Sequence, residues 1–329
     1  MHLIDADTVH RLLDYPGLVE ALRRAHAMPM PDARELFMEE PGNMGRGHGF
    51  IMLPAWRAGD MLGVKLVTIF PDNPGSNPPL PANQGLYVAF DGETGAPALV
   101  ADGTALTLRK TAADSALGVD ILARRDAASL LMVGAGALAP HVVTAIVGVR
   151  PSIRSVWIWN RTAAKAQSVA QAIRIEGVTA NAVENLDEIL PHADIVSSAT
   201  MATEPLIRGS LLKAGCHVDL IGGWNEEMRE ADDEAIDRAT LFTDTRALCR
   251  DCGDFLQPVK SGLMRWEDIK ADLFELCSGS KTGRSSPLEI TLFKNAGGGH
   301  LDLFVAQELM RKVQAEACPA APSPQDLQR

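Results

Sequence analysis

Residues 129–149 decide the fold of this chain and read SLLMVGAGALAPHVVTAIVGV. The apolar run that ends at Val133 has the pattern of a buried parallel strand, and a glycine-rich turn of the form GxGxxA follows at once. In such a turn the first glycine permits a tight bend, the second lets the backbone approach a pyrophosphate, and the next helix directs its N-terminus at the phosphates. We therefore predict that Gly134, Gly136, Ala137 and Leu138 bind a dinucleotide.

A membrane span is the alternative for this stretch, because its 21 residues contain no Asp, Glu, Lys or Arg. Three glycines, Pro140 and His141 interrupt the apolar run, and arginines flank it on both sides. The sequence therefore favours a nucleotide-binding turn, and we expect no membrane contact.

Composition narrows the class of protein. A chain of 329 residues suggests about two domains, and 46% hydrophobic residues suffice for their cores. The net charge is 31 − 42 = −11, which argues against a nucleic-acid partner. The N-terminus lacks the basic start and apolar core of a signal peptide, and the Ala- and Pro-rich tail after Cys318 is typical of disorder.

Cysteine usage points to a reducing compartment. Five cysteines are an odd number, and the CxxC formed by Cys249 and Cys252 has no second CxxC or His pair at zinc spacing. We therefore predict reduced thiols, no metal site and a cytoplasmic protein.

Periodicity along the chain predicts an α/β fold. Residues 1–30 have a helical pattern, residues 35–100 contain strand-like runs separated by Gly, Pro and Asn, and a long Ala-rich helix covers about 104–124. From Ser129 strands and helices alternate, as in a Rossmann-type doubly wound sheet. We predict an NAD(P)-binding domain over 119–299 and a discontinuous second α+β domain over 1–118 and 300–329, with the terminal helix returning to it.

The end of the second strand of such a sheet selects the nucleotide. An acidic residue there binds the 2′-hydroxyl of NAD, whereas an Arg accommodates the 2′-phosphate of NADP. Here the strand ends in Asn160, Arg161 and Thr162 without an acidic residue, which favours NADPH and leaves NADH possible. In the alternative, Asn160 and Thr162 only cap the next helix and Arg161 is a surface charge.

A later strand ends in Ser198, Ala199 and Thr200. Carboxyl ends of parallel strands line the ligand crevice, so we predict that these residues border the nicotinamide. A plain turn into the next helix is the alternative.

These features together resemble the ornithine cyclodeaminase/mu-crystallin family over nearly the whole chain. The segments that carry the resemblance are GVK at 63–65, QGL at 84–86, FD at 90–91, TGAP at 94–97, LTLRKTAA at 106–113, GAG at 134–136, WNR at 159–161, HVDLIGG at 217–223 and TLFK at 291–294. The resemblance implies a homodimer whose second domain supplies the dimer sheet and the substrate contacts. It also implies hydride transfer between NAD(P)(H) and amino acids, keto acids or cyclic imino acids.

The resemblance implies roles for several residues. The lysine that matches Lys65 contacts the substrate, and we predict that Lys65 is catalytic. The family's carboxylate-binding Arg stands directly before Thr-Ala-Ala; here Lys110 occupies that position with Arg109 before it, so either can bind the carboxylate. Thr111, in the same motif, is assigned to the cofactor. A second, early Arg matches Arg34 or, less well, Arg46.

Trp224 marks the main departure from the deaminating members of the family, which carry an acid/base Asp at the matching position. An indole cannot accept a proton at neutral pH, and Glu226 or Glu227 belongs to other positions of the turn. Reduction of an existing C=N bond needs no activated water, so the sequence favours a reductase of cyclic imino acids, Δ1-pyrroline-2-carboxylate or Δ1-piperideine-2-carboxylate, with Trp224 against the substrate ring.

The sequence does not rank the two ring sizes, and two further readings remain open. One is an ornithine cyclodeaminase or amino-acid dehydrogenase in which Glu226 replaces the missing Asp. The other is a non-catalytic protein that binds NADPH, like the crystallin members of the family.

Overall fold

The computed structural model describes residues 1–42 and 47–317, which form two compact units. The first contains Met1–Asp14, Pro31–Thr107 and the chain from Gly299, and the second contains Tyr15–Met30 and Leu108–Gly298. Residues 15–30 group with the second unit because their helix packs on two helices of that unit. The functional domains 1–118 with 300–329 and 119–299 stay a prediction, and Arg46 and the tail after Cys318 lie outside the described residues.

The first unit is built on a mixed sheet of seven described strands. With elements numbered in chain order, its strands are β1 (His2–Ile4), β2 (Asp32–Ala33), β3 (Leu36–Glu39), β4 (Gly49–Arg57), β5 (Met61–Ile69), β6 (Asn83–Asp91) and β7 (Pro97–Asp102). Its helices are α1 (Ala6–Leu12) and α10 (Gly299–Ala317). The strand order is β1-β7-β6-β5-β4-β2, with β3 also on β4, and only the β1–β7 pair is parallel.

Strand periodicity explains how this sheet buries one face. Successive side chains of a strand point to opposite faces, and in β5 Met61, Gly63 and Lys65 are buried whereas Leu62 and Val64 are half-buried. Helix α10 packs on β4 and β5, so we assign the buried side chains to the face it covers. A buried lysine on this face is an exception to the apolar rule.

The second unit contains a sheet of eight described strands, all parallel. The strands are β8 (Ser129–Val133), β9 (Ser155–Trp159), β10 (Thr179–Val183), β11 (Ile195–Ser198), β12 (His217–Leu220), β13 (Ala239–Thr243), β14 (Ile269–Asp272) and β15 (Ile290–Lys294). The helices are α2 (Tyr15–His26), α3 (Gly103–Leu122, which begins in the first unit), α4 (Ala139–Val149), α5 (Ala163–Ala172), α6 (Leu186–Ile189), α7 (Asp233–Arg238), α8 (Gly253–Ser261) and α9 (Leu273–Cys277).

The strand order β10-β9-β8-β11-β12-β15-β13-β14 confirms the predicted Rossmann-type doubly wound sheet. The order reverses direction at β8, which is the strand that precedes the glycine-rich turn. Residues 129–149 thus form β8, the turn and the 11-residue helix α4. Across residues 1–42 and 47–317, no helix combines the length and apolar character needed to cross a bilayer.

The sequence analysis did not predict strands β1, β2, β10 and β14. The helical pattern predicted for residues 1–30 is wrong at His2–Ile4, which form β1 and pair with β7. Strands β10 and β14 lie at the two edges of the parallel sheet, so each has a neighbouring strand on one side only. Short or edge strands of this kind lack the continuous apolar run that identifies a central parallel strand.

Candidate active site

The glycine-rich turn has the geometry of a dinucleotide-binding turn. Gly134 has φ +108°, and a Cβ there would lie 2.5 Å from the carbonyl oxygen of Ala199. Its N–H donates to the carbonyl of Trp159 at 2.8 Å. A Cβ on Gly136 would meet no atom within 4 Å, and no side chain caps the N-terminus of α4. The turn therefore leaves open backbone at the uncapped N-terminus of α4, which fits a pyrophosphate.

Asn160 connects the end of β9 to this turn. Its Oδ1 accepts a hydrogen bond from the N–H of Ala135 at 3.2 Å, and its Nδ2 donates to the carbonyl of Thr162 at 3.1 Å. The side chain thus bridges the turn and the residues before α5, so Asn160 shapes the site whether or not it touches a ligand.

Arg161 and Thr162 are exposed at the start of α5. Thr162 is the N-cap of this helix, but its hydroxyl makes no capping hydrogen bond. Within residues 1–42 and 47–317 Arg161 forms no ion pair shorter than 4.0 Å. The side chain of Thr162 therefore does not cap α5, contrary to the alternative. The guanidinium of Arg161, the hydroxyl of Thr162 and the first N–H groups of α5 remain available to an anion.

Ser198 and Thr200 are joined to the neighbouring strand end by a buried carboxylate, Glu230. Its Oε1 accepts hydrogen bonds from Ser198 Oγ at 2.6 Å and from Thr200 N and Oγ1 at 2.7 and 2.8 Å. Its Oε2 accepts from Gly222 N at 2.6 Å. Glu230 therefore fixes the carboxyl ends of β11 and β12 relative to each other.

A second buried pair supports Glu230. Asp254 Oδ1 accepts from the Glu230 N–H at 2.7 Å, and Lys294 Nζ lies 3.1 Å from Asp254 Oδ2 and also donates to the Gly222 carbonyl. Burial raises the pKa of the Glu230 carboxyl to about 7, and the Asp254 carboxylate acts in the same direction while Lys294 opposes it. This end of the sheet is thus a buried charged network that connects the residues after β11 and β12 to Asp254 and Lys294.

Arg109 and Lys110 point to different partners. The guanidinium of Arg109 lies 4.4 Å from the ring centroid of Tyr15. Lys110 is 4% exposed, and its Nζ donates to the carbonyl of Gly298 at 3.1 Å. Adjacent helical residues project about 100° apart, which agrees with this divergence. Which of the two binds a carboxylate stays a prediction, as does the cofactor role of Thr111, whose carbonyl accepts from Asn295 Nδ2 at 3.1 Å.

Trp224 is 60% exposed, although it follows the buried residues Gly222 and Gly223. The backbone is fixed immediately before it, because Gly223 has φ +60° and a Cβ there would lie 2.3 Å from Asp254 Oδ2. Glu226 is paired with Lys260 at 2.8 Å on the protein surface. Within this unit the indole therefore follows a closely packed glycine and is exposed, whereas the side chain of Glu226 is paired with Lys260.

In the first unit, Lys65 is 5% exposed and forms an ion pair with Asp302 of α10, with its Nζ 2.9 Å from Oδ2. Arg34 is 74% exposed in its side chain and lies 3.5 Å from Asp32. It lines a cavity of about 250 Å³ together with Leu62 and Val64, which project from the sheet face opposite to Lys65. Arg34 and Lys65 thus lie on opposite sides of the sheet, and the substrate role of Arg34 stays a prediction.

Several functional candidates were missing from the sequence analysis. Lys294 lies in a segment singled out for its resemblance, yet no role was visible for it, and Glu230 was not singled out. Asp302 is an acid flanked by the buried residues Leu301 and Leu303 of a helix, which was the available signal. Among the described residues, no group of three or more His, Cys, Asp or Glu side chains is placed to hold a metal ion.

The chain is similar to known proteins in both sequence and structure. The family model described as "Ornithine cyclodeaminase/mu-crystallin family" matches residues 16–316. The chain is 40% identical over 303 residues to the Delta(1)-pyrroline-2-carboxylate reductase of Paracoccus denitrificans. This alignment covers 91% of this chain and 93% of the relative. It is 42% identical over 264 residues to Protein SAR DEFICIENT 4 of Arabidopsis thaliana, covering 78% of this chain and 81% of that protein.

Among solved structures, the chain resembles Thermococcus litoralis Delta(1)-pyrroline-2-carboxylate reductase in complex with NADH and L-proline. The TM-score is 0.86 at 26% sequence identity, and the match covers 96% of this chain and 98% of that one.

Proposed function

Because the chain belongs to the ornithine cyclodeaminase/mu-crystallin family, we propose that it is an oxidoreductase that reduces cyclic imino acids with a nicotinamide cofactor. The substrates are Δ1-pyrroline-2-carboxylate, which gives L-proline, and Δ1-piperideine-2-carboxylate, which gives L-pipecolate. The observation that carries this proposal is Trp224, an exposed indole at the position to which the resemblance assigns the acid/base Asp of deaminating members. A relative 40% identical over 91% of the chain is named as a pyrroline-2-carboxylate reductase.

The chemistry of this reduction asks little of the protein. A bound reduced nicotinamide supplies the hydride that reaches the imine carbon, and a proton adds to the imine nitrogen. The C=N bond exists already, so no water is activated and no ammonia leaves. The protein has to bind the substrate carboxylate, and we assign that task to the ammonium of Lys65, with Arg109 or Lys110 as a second cation.

We propose NADPH as the preferred form of the cofactor, with NADH also accepted. The support is the exposed set of Arg161 and Thr162 at the start of α5, together with the absence of an acidic residue at the end of β9. An exposed Arg beside free helical N–H groups suits a 2′-phosphate. The T. litoralis reductase was solved with NADH, so the two forms have to be compared directly.

We also propose a homodimer that forms through the sheet of the first unit. An antiparallel sheet with one solvated face normally carries polar residues on it, but here that face carries apolar ones. Trp56 is 56% exposed, Leu86 50% and Leu36 52%. An apolar surface of this kind is typical of an interface. Sedimentation velocity of a Trp56→Glu/Leu86→Lys variant should show monomers, whereas an unchanged mass would exclude this face.

A cytoplasmic location is part of the same proposal. The four cysteines in the described part of the chain, namely Cys216, Cys249, Cys252 and Cys277, are free thiols, as expected in a reducing compartment.

One experiment tests the proposed reaction. The purified protein is mixed with NADPH or NADH and with Δ1-pyrroline-2-carboxylate, Δ1-piperideine-2-carboxylate, or pyruvate plus ammonia, and loss of reduced cofactor is followed. We expect turnover of the cyclic imino acids only. Ammonia release from ornithine would support a cyclodeaminase, and cofactor binding without any turnover would support the non-catalytic reading.

A further inference from the structure

A buried ion pair joins the strand β5 to the helix α10. Lys65 Nζ lies 3.1 Å from Asp302 Oδ1 and 2.9 Å from Oδ2, so a single ammonium spans both carboxylate oxygens. The side chain of Lys65 is 6% exposed and that of Asp302 is fully buried. Thr107 Oγ1 lies 3.5 Å from the same ammonium. The ammonium of Lys65 is therefore fixed by groups from two other elements, α10 and α3.

Stability does not explain this pair. Removing two charges from water costs free energy that their attraction seldom returns in full, and apolar pairs of similar size often serve a core equally well. Asp302 is flanked by Leu301 and Leu303 in the buried part of α10. Because a buried acid is costly at such a position, Asp302 points to a functional need for an oriented ammonium on Lys65.

Tyr87 shows that the environment of the pair is dry. It stands opposite Lys65 in the register of β5 and β6, and its hydroxyl has no hydrogen-bond partner within residues 1–42 and 47–317. A Cβ on Gly63 would lie 2.4 Å from this hydroxyl, so the ring covers the strand next to Lys65. Burial raises the pKa of Tyr87 well above its ordinary value, and the Asp302 carboxylate acts in the same direction. In such surroundings an ammonium without a counter-ion would be strongly disfavoured.

We propose that Asp302 is a positioning residue for the reduction. It acts through Lys65: the carboxylate orients the ammonium so that it can bind the carboxylate of the imino acid. The inference rests on the proposed function and adds a residue to the same site. Asp302 itself does not contact the substrate.

A double-mutant cycle tests whether Asp302 acts through Lys65. The variants are Asp302→Asn, Lys65→Met and the combination of both. Glu308→Gln is the matched control, since it removes a carboxylate from the same helix that pairs with Arg311 at 2.6 Å. The readouts are kcat/KM for Δ1-pyrroline-2-carboxylate, KM for the nicotinamide cofactor and the thermal unfolding midpoint.

We expect Asp302→Asn to lower kcat/KM for the imino acid roughly tenfold to hundredfold, as for the loss of one charge-assisted interaction. KM for the imino acid should rise while KM for the cofactor stays within about twofold. A merely structural loss would instead reduce the active fraction and leave both KM values unchanged. The combined variant should be no less active than Lys65→Met alone. The control should retain its kinetics.

Two results would overturn the proposal. One is an Asp302→Asn enzyme with kcat/KM close to that of the wild type. The other is a combined variant whose loss equals the product of the two single losses, since independent residues give additive free energies. If Asp302→Asn does not fold, Asp302→Glu takes its place: it keeps the charge but displaces it by one methylene, so an unchanged kcat/KM would equally reject positioning.

The wild-type measurement distinguishes a failure of the proposed function from a failure of the role assigned to Asp302. A wild type that reduces no cyclic imino acid refutes the proposed function. A wild type that reduces it, together with an unaffected Asp302→Asn variant, leaves the function standing and removes Asp302 from it.

Discussion

The substitution Glu230→Gln tests the view that one buried carboxylate holds the cofactor side of the second unit together. Glu230 is completely buried and accepts four hydrogen bonds at 2.6–2.8 Å, from Ser198 Oγ, Thr200 N, Thr200 Oγ1 and Gly222 N. Glutamine has nearly the same shape, so no cavity forms. The change exchanges one carboxylate oxygen for an NH2 group, which can donate but not accept.

The size of the effect follows from the arrangement of donors. The three donors at Oε1 keep an acceptor if the amide oxygen takes that place, and Gly222 N–H then faces the amide NH2. A buried donor left without an acceptor costs about 1–3 kcal/mol. The three remaining bonds lose charge assistance, but this loss is offset by relief from burying a carboxylate, a penalty reflected in its pKa of about 7. We therefore expect a decrease of about 1–3 kcal/mol in the free energy of unfolding.

Two measurements on Glu230→Gln check this reasoning. Urea unfolding at neutral pH gives the stability change, and fluorescence titration gives the Kd for NADPH. The Kd should rise, because the strand ends at Ser198 and Gly222 are no longer held in one position. Glu234→Gln, in the first turn of the nearby helix α7, is the control and should change neither quantity. A variant with wild-type stability and wild-type cofactor affinity would show that Glu230 does not organise this edge.

Three further predictions follow from single residues. Arg161→Ala should weaken NADPH binding about tenfold to hundredfold, equivalent to roughly 1.5–3 kcal/mol, and leave NADH unchanged; equal losses in titrations with both would remove Arg161 from the phosphate site. Gly134→Ala should abolish tight binding of both cofactors and lower the melting temperature, because φ is +108° and the new Cβ would lie 2.5 Å from Ala199 O; a Kd equal to that of the wild type would contradict this. Burial raises the pKa of Asp219 to about 6 from 3.8, so the folded state holds this proton more tightly than the unfolded state does. The stability that this difference contributes is present below pH 3.8 and is lost as the pH rises through 6. In Asp219→Asn, urea unfolding between pH 4 and pH 7 should show a flatter dependence, and an unchanged slope would exclude Asp219 as its source.

The sequence by itself determined the nucleotide-binding half of this protein. A central parallel strand is buried on both faces, so its sequence is a continuous apolar run, and Ser129–Val133 is buried at every position. The turn that follows needs glycine for backbone reasons that are local, as the positive φ of Gly134 shows. Local rules of this kind can be read from adjacent residues. The order of the motifs along the chain also identified the family, which the family model over residues 16–316 confirms.

Only the tertiary structure decided which charged residues work together. Lys65 and Asp302 are separated by 237 residues, and Ser198 and Glu230 by 32. Each pair is formed by packing of elements whose side-chain directions cannot be read from spacing. Burial then gives these pairs their importance, since a charge in a dry interior needs a partner at a fixed distance. Adjacent residues can equally be separated by the fold: Arg109 stacks on Tyr15 while Lys110 bonds to Gly298, because a helix turns by about 100° per residue.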